Sequence, residues 1–310
     1  IQADIKSGNF KQVYLLYGEE AYLKQQYKQN LVKALNPDGD TMNFNHYEGK
    51  GIDVKQLIDL CETMPFFAER RVVLLEDTGF FKNKCEELAD YMKELPDYLY
   101  LVFAETEVDK RNRMYKAVKA CGSIAEFIRQ DEKTLMRWAA GILGKAGKKI
   151  TQRDMELLLT KTGTDMGNLR MEMEKLISYT EGRDVVTAED IEEICTTQTT
   201  NRIFDMVRAV TEKNQKRALE LYYDLLTLKE PPMRILFLLA KQYRQLLLAK
   251  QFAAAGLAQT EIGSKLGVPG FVVKNITTCA RAYTISELEQ AVKDFVDAEE
   301  SVKTGRLEDK

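Results

Sequence analysis

Short apolar runs recur through residues 12–128 with amphipathic stretches between them, and beyond residue 131 they stop. Val13–Tyr17, Val72–Leu75 and Tyr98–Phe103 are apolar at almost every position. Runs of that kind suit strands buried on both faces, the condition of a parallel sheet. Asn43–Tyr47 alternates like a strand, and Ile124–Ile128 ends the series. Helical periodicity fills the gaps. Within Glu19–Leu35, Leu23, Tyr27 and Leu31 recur every fourth residue. Val54, Leu57, Ile58 and Cys61 fit the i, i+3, i+4, i+7 template, and Leu88–Met92 is a further helical stretch. Alternation of this kind predicts a parallel sheet covered by helices on both faces.

The rest of the chain reads as helical only. Leu135, Trp138, Ala139 and Ile142 begin a helix that ends in the basic, glycine-containing Gly144–Lys149. Helices over Asp154–Thr162 and Asp165–Tyr179 follow, and Thr187 with Asp190 reads as a capping box opening a short helix. The polar run Thr196–Asn201 reads as a linker. After it, Ile203, Met206, Val207 and Val210 mark one helix, and Leu219, Tyr222 and Leu226 a second. A third starts at Pro231 and Pro232, where proline is tolerated, and is apolar nearly all round to Ala255. Leu288, Ala291, Val292 and Phe295 mark the last.

With 310 residues the chain is long enough for two or three domains. Its 45 basic and 48 acidic residues give no overall basic surplus of the kind that marks a nucleic-acid binder. The five cysteines are scattered, with no CxxC pair, and His46 is the single histidine. Metal ligands usually come in short-spaced pairs, so no metal site is expected, and scattered free thiols fit a reducing cytoplasm. The most apolar stretch, Ile235–Ala240, is far short of the roughly 18 residues a membrane span needs. The first ten residues contain no signal-peptide core.

The turn after the first strand carries the most chemistry. In a nucleotide-binding α/β domain this turn is the phosphate loop, GxxxxGK[ST], whose amides and lysine surround the phosphates. Here it begins Gly18-Glu19-Glu20, without the second glycine or the Lys-Ser/Thr pair. Glu19 and Glu20 suit a helix N-terminus but would repel a triphosphate. No nucleotide cofactor and no ATP hydrolysis are expected. Val72–Asp77 imitates the apolar strand and acid of a magnesium-holding motif, but without a phosphate loop it reads as a core strand ending in solvated acids. Met64-Pro65-Phe66-Phe67 precedes that strand, with Arg70 just after. Adjacent aromatics lie about 100° apart on a helix. Pattern alone therefore assigns Phe66 and Phe67 to the core, with an exposed plug for a partner's pocket as the alternative. Gln259–Ile276 has the spacing of a helix-turn-helix, with Ile262 and Leu266 inside, Gly267 in the turn and Val273 beyond. Its second helix opens Pro269-Gly270-Phe271-Val272, which suits packing better than base reading. With one histidine, acid–base catalysis lacks its usual group.

Taken together, the segments Val13–Leu23, Glu62–Asp77, Val108–Val118, Gly147–Ile150, Asn201–Asp205 and Leu266–Lys274 resemble the delta-subunit family of the bacterial DNA polymerase III clamp loader, of the Gram-positive type. Arg202 departs from the family's Asn-Ile-Phe-Asp run. The resemblance implies an α/β, RecA-like AAA+ domain with a degenerate phosphate loop over residues 1–130. A three-helix lid over 131–197 and a helical collar over 198–310 would follow. It also implies binding of the beta sliding clamp by Phe66 and Phe67, with Met64, Pro65 and Arg70 flanking. Further implied partners are the tau or gamma ATPase subunits, delta prime and primer–template DNA, bound weakly and without sequence preference. The place of work would be the replication fork in the cytoplasm, with no membrane partner. A catalytic AAA+ ATPase, or a DNA-binding regulator using residues 259–276, are the competing readings.

Overall fold

The apolar run Val13–Tyr17 forms β1, and all five of its residues are buried. The pleat sends Val13, Leu15 and Tyr17 to one face of the sheet and Tyr14 and Leu16 to the other, and both sets meet a core. The computed structural model describes residues 1–196, 199–268 and 270–308, and it divides into two units, Ile1–Gln130 and Asp131–Lys310. The residues Thr197 and Gln198 of the expected linker, and Pro269 of the helix-turn-helix reading, lie outside the described residues, as do the side chains of Asn201 and Phe271.

In the first unit α1 (Gln2–Ser7) leads into β1, followed by α2 (Ala21–Leu35), β2 (Phe44–Glu48), α3 (Val54–Cys61) and β3 (Arg71–Glu76). Then come α4 (Glu86–Tyr91), β4 (Leu99–Glu105), α5 (Arg113–Cys121) and β5 (Ser123–Glu126). The five strands form one sheet in the order β2-β3-β4-β1-β5, every neighbouring pair parallel. One face packs Val13, Leu15, Val73, Leu75, Leu101 and Phe103 against α3, α4 and α5, through Leu57, Cys61, Leu88, Met92, Met114 and Val118. On the other face Tyr14, Leu16, Val72, Leu74 and Val102 pack against Leu31 and Leu35 of α2 and Ile5 of α1. Each such side chain contributes about 1.5–3 kcal/mol when withdrawn from water. Phe81 and Phe103 meet edge to face at 5.2 Å in the first of these cores.

The second unit is mostly helical: α6 (Glu132–Lys145), α7 (Gln152–Thr162), α8 (Met166–Tyr179), α9 (Ala188–Ile194), α10 (Thr199–Thr211), α11 (Gln215–Thr227), α12 (Pro232–Ala254), α13 (Gln259–Leu266), α14 (Gly270–Ala280) and α15 (Ile285–Lys303). Thr187 and Asp190 close the capping box of α9 read from the sequence. The long α12 is central, packing against α10, α13, α14 and α15. Ile262, Val273 and Ile276 are buried in that core, so α13 and α14 form a packed pair with Gly267 in the left-handed cap between them. Among the described residues no helix is long and apolar enough to cross a membrane.

Four sequence expectations need correction. Strands do not stop at residue 131: Lys149–Ile150 (β6) and Val185–Val186 (β7) pair in parallel. Two residues are too few to show a period. The polar segment after Thr196 is helical from Thr199 onward, because the buried positions Ile203, Met206 and Val207 extend their helix backward. In α11 the buried face is Leu221 and Leu225, whereas Leu219 is exposed. Tyr222 and Leu226, the other two expected positions, are partly buried against the same core, so only Leu219 lies off the face. Helices α1 and α5 are additional to the expected elements. In α5 the cap is Asn112, whose side chain accepts from the Met114 amide, and Met114 and Val118 form its buried i, i+4 stripe.

One close approach holds the end of β1. Gly18 has φ +124°, and a Cβ there would stand 2.3 Å from the Phe127 carbonyl oxygen. The Phe127 amide donates to Tyr17 O at 2.7 Å and the Glu20 amide to Phe127 O at 3.0 Å. Only glycine fits both the angle and the space. Gly18→Ala is expected to destabilise the first unit by about 3 kcal/mol, read from the urea midpoint. A change under about 0.5 kcal/mol would show that this backbone yields freely.

Candidate partner-binding site

The segment between α3 and β3 has neither helix nor strand, and it lies at the amino end of the sheet. Pro65 and the positive φ of Phe67, +49°, are incompatible with continuing α3. The result puts three large apolar side chains in water. Met64 is 75% exposed, Phe66 57% and Phe67 95%. This overturns the pattern-based assignment of Phe66 and Phe67 to the core. Counting apolar residues took no account of a backbone that turns both rings outward. The rings stack edge to face, 4.4 Å between centroids. Clustered exposed apolar side chains are the usual mark of a partner surface.

The loop is fastened from below by polar groups. Asn43, buried just before β2, accepts from the Phe66 amide through Oδ1 at 2.7 Å and donates through Nδ2 to Phe66 O at 2.8 Å. The same Nδ2 donates to Asp40 Oδ2 at 2.5 Å. That bond, more than the Met42 amide or the Arg71 charge, holds the Asp40 carboxyl below the usual carboxylate range. Arg71 is buried and donates from Nε to Thr63 O at 2.8 Å and from Nη1 to Asn45 Oδ1 at 3.1 Å. Tyr98 donates its hydroxyl to Glu62 O at 2.8 Å. Arg70 lies over the rings of Phe10 and Tyr100, at 5.2 and 5.4 Å, a cation–π arrangement. Pro65 is half-buried between its exposed neighbours.

The opposite, carboxyl end of the sheet is where ligands bind in open α/β folds. Gly18, Glu19 and Glu20 span the gap between β1 and α2. Glu19 is exposed beside Arg129, 3.4 Å away, and Glu20 is buried at the N-cap of α2. Lys24 follows Gly18 at the spacing of the lysine in GxxxxGK[ST], with Leu23 and Gln25 where that motif has glycine and Ser/Thr. The lysine of the motif is thus present by spacing, though the Lys-Ser/Thr pair is not. Lys24 Nζ donates to Glu105 O at 2.9 Å, and burial pushes its pKa down. Nor is Glu76 a solvated acid. It meets Lys28 Nζ at 2.5 Å and His46 Nε2 at 2.9 Å. Asp77 accepts from the amide and hydroxyl of Thr106 at 2.9 and 2.8 Å. Glu105 is buried and accepts from the Thr78 amide and hydroxyl at 3.1 and 2.6 Å.

Comparison with known proteins decides the kinship. One family profile, described as DNA polymerase III, delta subunit, matches residues 14–127, and a second, DNA polymerase III delta subunit, C-terminal domain, matches residues 200–310. The chain belongs to the DNA polymerase III delta subunit family. It is 26% identical over 315 residues to the DNA polymerase III subunit delta of Bacillus subtilis, covering 97% of this chain and 90% of the relative. A probable DNA polymerase III subunit delta of Aquifex aeolicus is 22% identical over 278 residues, covering 85% of this chain and 78% of the relative. The solved Bacillus subtilis DNA clamp loader delta protein has the same fold. It superimposes with a TM-score of 0.67 at 24% identity, covering 99% of this chain and 94% of that one.

The structure therefore brings Met64, Phe66 and Phe67 of this delta-family chain together on one loop, with Arg70 at its base. Gly18, Glu19 and Glu20 lie at the other end of the sheet. Asn43, Asp40 and Arg71 escaped the sequence reading. No motif marks them, and Asn43 stands far from Phe66 in the chain.

Burial raises the Glu105 carboxyl above its ordinary pKa, against the opposing hydrogen bonds from Thr78 and Gly79. The folded chain therefore holds this proton more tightly than the unfolded chain. Its stabilising contribution is full below the ordinary carboxylate pKa, about 4.3, and is lost as pH rises through the raised folded value. Glu105→Gln removes this titration. The stability of the Gln variant relative to the wild type is expected to rise with pH from 4 upward, measured by urea midpoints at each pH. A constant difference across the range would refute the assignment.

Proposed function

We propose that the chain binds the beta sliding clamp through Met64, Phe66 and Phe67 and opens the ring for loading onto primed DNA, while other loader subunits supply ATP hydrolysis. The observation that carries this reading is Phe67, almost wholly exposed beside Phe66 on a loop fastened by Asn43, Arg70 and Arg71. Burying two such rings in a partner's pocket contributes about 1.5–3 kcal/mol each, enough to dominate an interface. Opening the ring follows if the chain binds the open clamp more tightly than the closed one.

The first unit is read as a RecA-like AAA+ domain whose phosphate loop has been lost. Support comes from Gly18 packed on Phe127, from Lys24 committed to Glu105 and from Glu76 committed to Lys28 and His46. The second unit is read as a lid over residues 131–197 and a collar over 198–310. The start of the C-terminal family match at residue 200 supports that division. Through the collar the chain would join the tau or gamma subunits and delta prime, and touch primer–template DNA weakly.

Phe66→Ala/Phe67→Ala is expected to weaken binding to purified clamp roughly 100-fold or more. Stability should change by under about 0.5 kcal/mol, since both rings are solvent-facing. Unchanged affinity in a pull-down or titration would sink the assignment. The purified chain alone is expected to release no phosphate from ATP above the buffer blank, and measurable turnover would overturn the reading of the first unit.

A further inference from the structure

We infer that Asn43 is a positioning residue for clamp recognition: it holds the Phe66 backbone so that Phe66 and Phe67 are presented in a ready-made geometry. This rests on the clamp-binding reading of that loop.

Four observations meet at this residue. Its side chain uses both of its faces on a single residue of the loop, accepting from Phe66 N and donating to Phe66 O. Its second amide hydrogen is taken by Asp40, which fixes which way the amide points. Asn43 is only 3% exposed, so it acts on a partner only through the loop. Finally, its own carbonyl accepts from the Val72 amide at 2.9 Å, which ties it to β3. A side chain that makes both backbone bonds of one residue copies a strand partner. Here it does so beneath a residue whose neighbour, Phe67, has an unfavourable positive φ. Without that bracket the loop would sample other conformations, and apparent affinity falls in proportion to the fraction that remains competent.

The test compares the full chain with Asn43→Ala, Asn43→Asp, Phe67→Ala and the Asn43→Ala/Phe67→Ala pair, titrated with purified sliding clamp. Asn43→Ala is expected to weaken binding about tenfold. It should also speed hydrogen exchange at the Phe66 amide while amides in β1 and β4 keep their protection. In the Phe67→Ala background the same change should cost much less than tenfold, because what it positions is already gone. If Asn43→Ala folds poorly, Asn43→Asp supplies the second variant: it keeps the shape and the acceptor for Phe66 N but sets an oxygen against the Phe66 carbonyl and the Asp40 carboxylate, and is expected to weaken binding at least as much. The proposal is overturned if both Asn43 variants bind as the wild type while Phe67→Ala is weakened. It is equally overturned if the loss is the same size with and without Phe67. If Phe67→Ala itself binds normally, the clamp-binding reading of the loop fails instead.

Discussion

Covering a parallel sheet on both faces leaves only its strand ends and connecting loops free to meet anything else. In the first unit α1 and α2 cover one face and α3, α4 and α5 the other, with alternate residues of β1, β3 and β4 committed to each. A buried residue on such a strand cannot be exchanged for a functional one without opening a core. Whatever the unit does is therefore done at the ends. Its two ends have opposite characters. The carboxyl end is dense in charge that is paired within the chain, and the amino end carries bare apolar surface.

The pairing at the carboxyl end has a physical logic. Strand ends Glu76 and Glu105 and the α2 residues Lys24 and Lys28 are drawn together by the parallel topology, which sets β1, β3 and β4 side by side. Charges brought that close to a core must be neutralised or hydrated. Lys28 answers Glu76, and Thr78 satisfies the Glu105 carboxyl. Buried ion pairs contribute little net stability, since desolvation offsets most of the attraction. Their effect here is to fill the end of the sheet with bonds the chain makes to itself. An incoming triphosphate would have to break several of them. Gly18 adds a steric reason, because its contact with Phe127 leaves no room for a wider turn.

The parts of this arrangement legible in the sequence were those set by repeated side-chain character. The runs that became β1, β3 and β4 show their burial directly, and the i, i+3, i+4 stripe of α3 matched its residues to the ends. Chemistry that depends on one backbone angle or one distant partner was not legible. Nothing in Pro65-Phe66-Phe67 states that Phe67 has a positive φ, so periodicity placed both rings in the core. Nothing around Asn43 states that its amide will meet Phe66 across the end of the sheet. The likeness of Glu62–Asp77 to a known family implied a surface role for these rings that pattern did not, and their exposure is what the structure shows. Strands of two residues, such as β6 and β7, fall below what periodicity can resolve.

The amino-end loop depends on the least buried strand of the sheet. β2 is an edge strand, partly exposed at most of its positions, and it pairs with β3 in the register Phe44↔Val72. That register sets Asn43 level with the loop. A slip of one residue would turn its side chain to the other face and leave the Phe66 amide and carbonyl without their partner. The dependence runs both ways. Edge strands gain little from burial, so the two bonds to Phe66, the Asp40 contact and the Arg71–Asn45 bond help hold β2 in register. Arg71 links the two directly, being the first residue of β3 and the donor to both Asn45 and the Thr63 carbonyl. A partner that seats Phe66 and Phe67 therefore also stabilises the pairing of β2 with β3, and a force on those rings is transmitted to the sheet through Asn43 and Arg71. The polar bracket gives the loop a footing on the sheet where apolar burial does not.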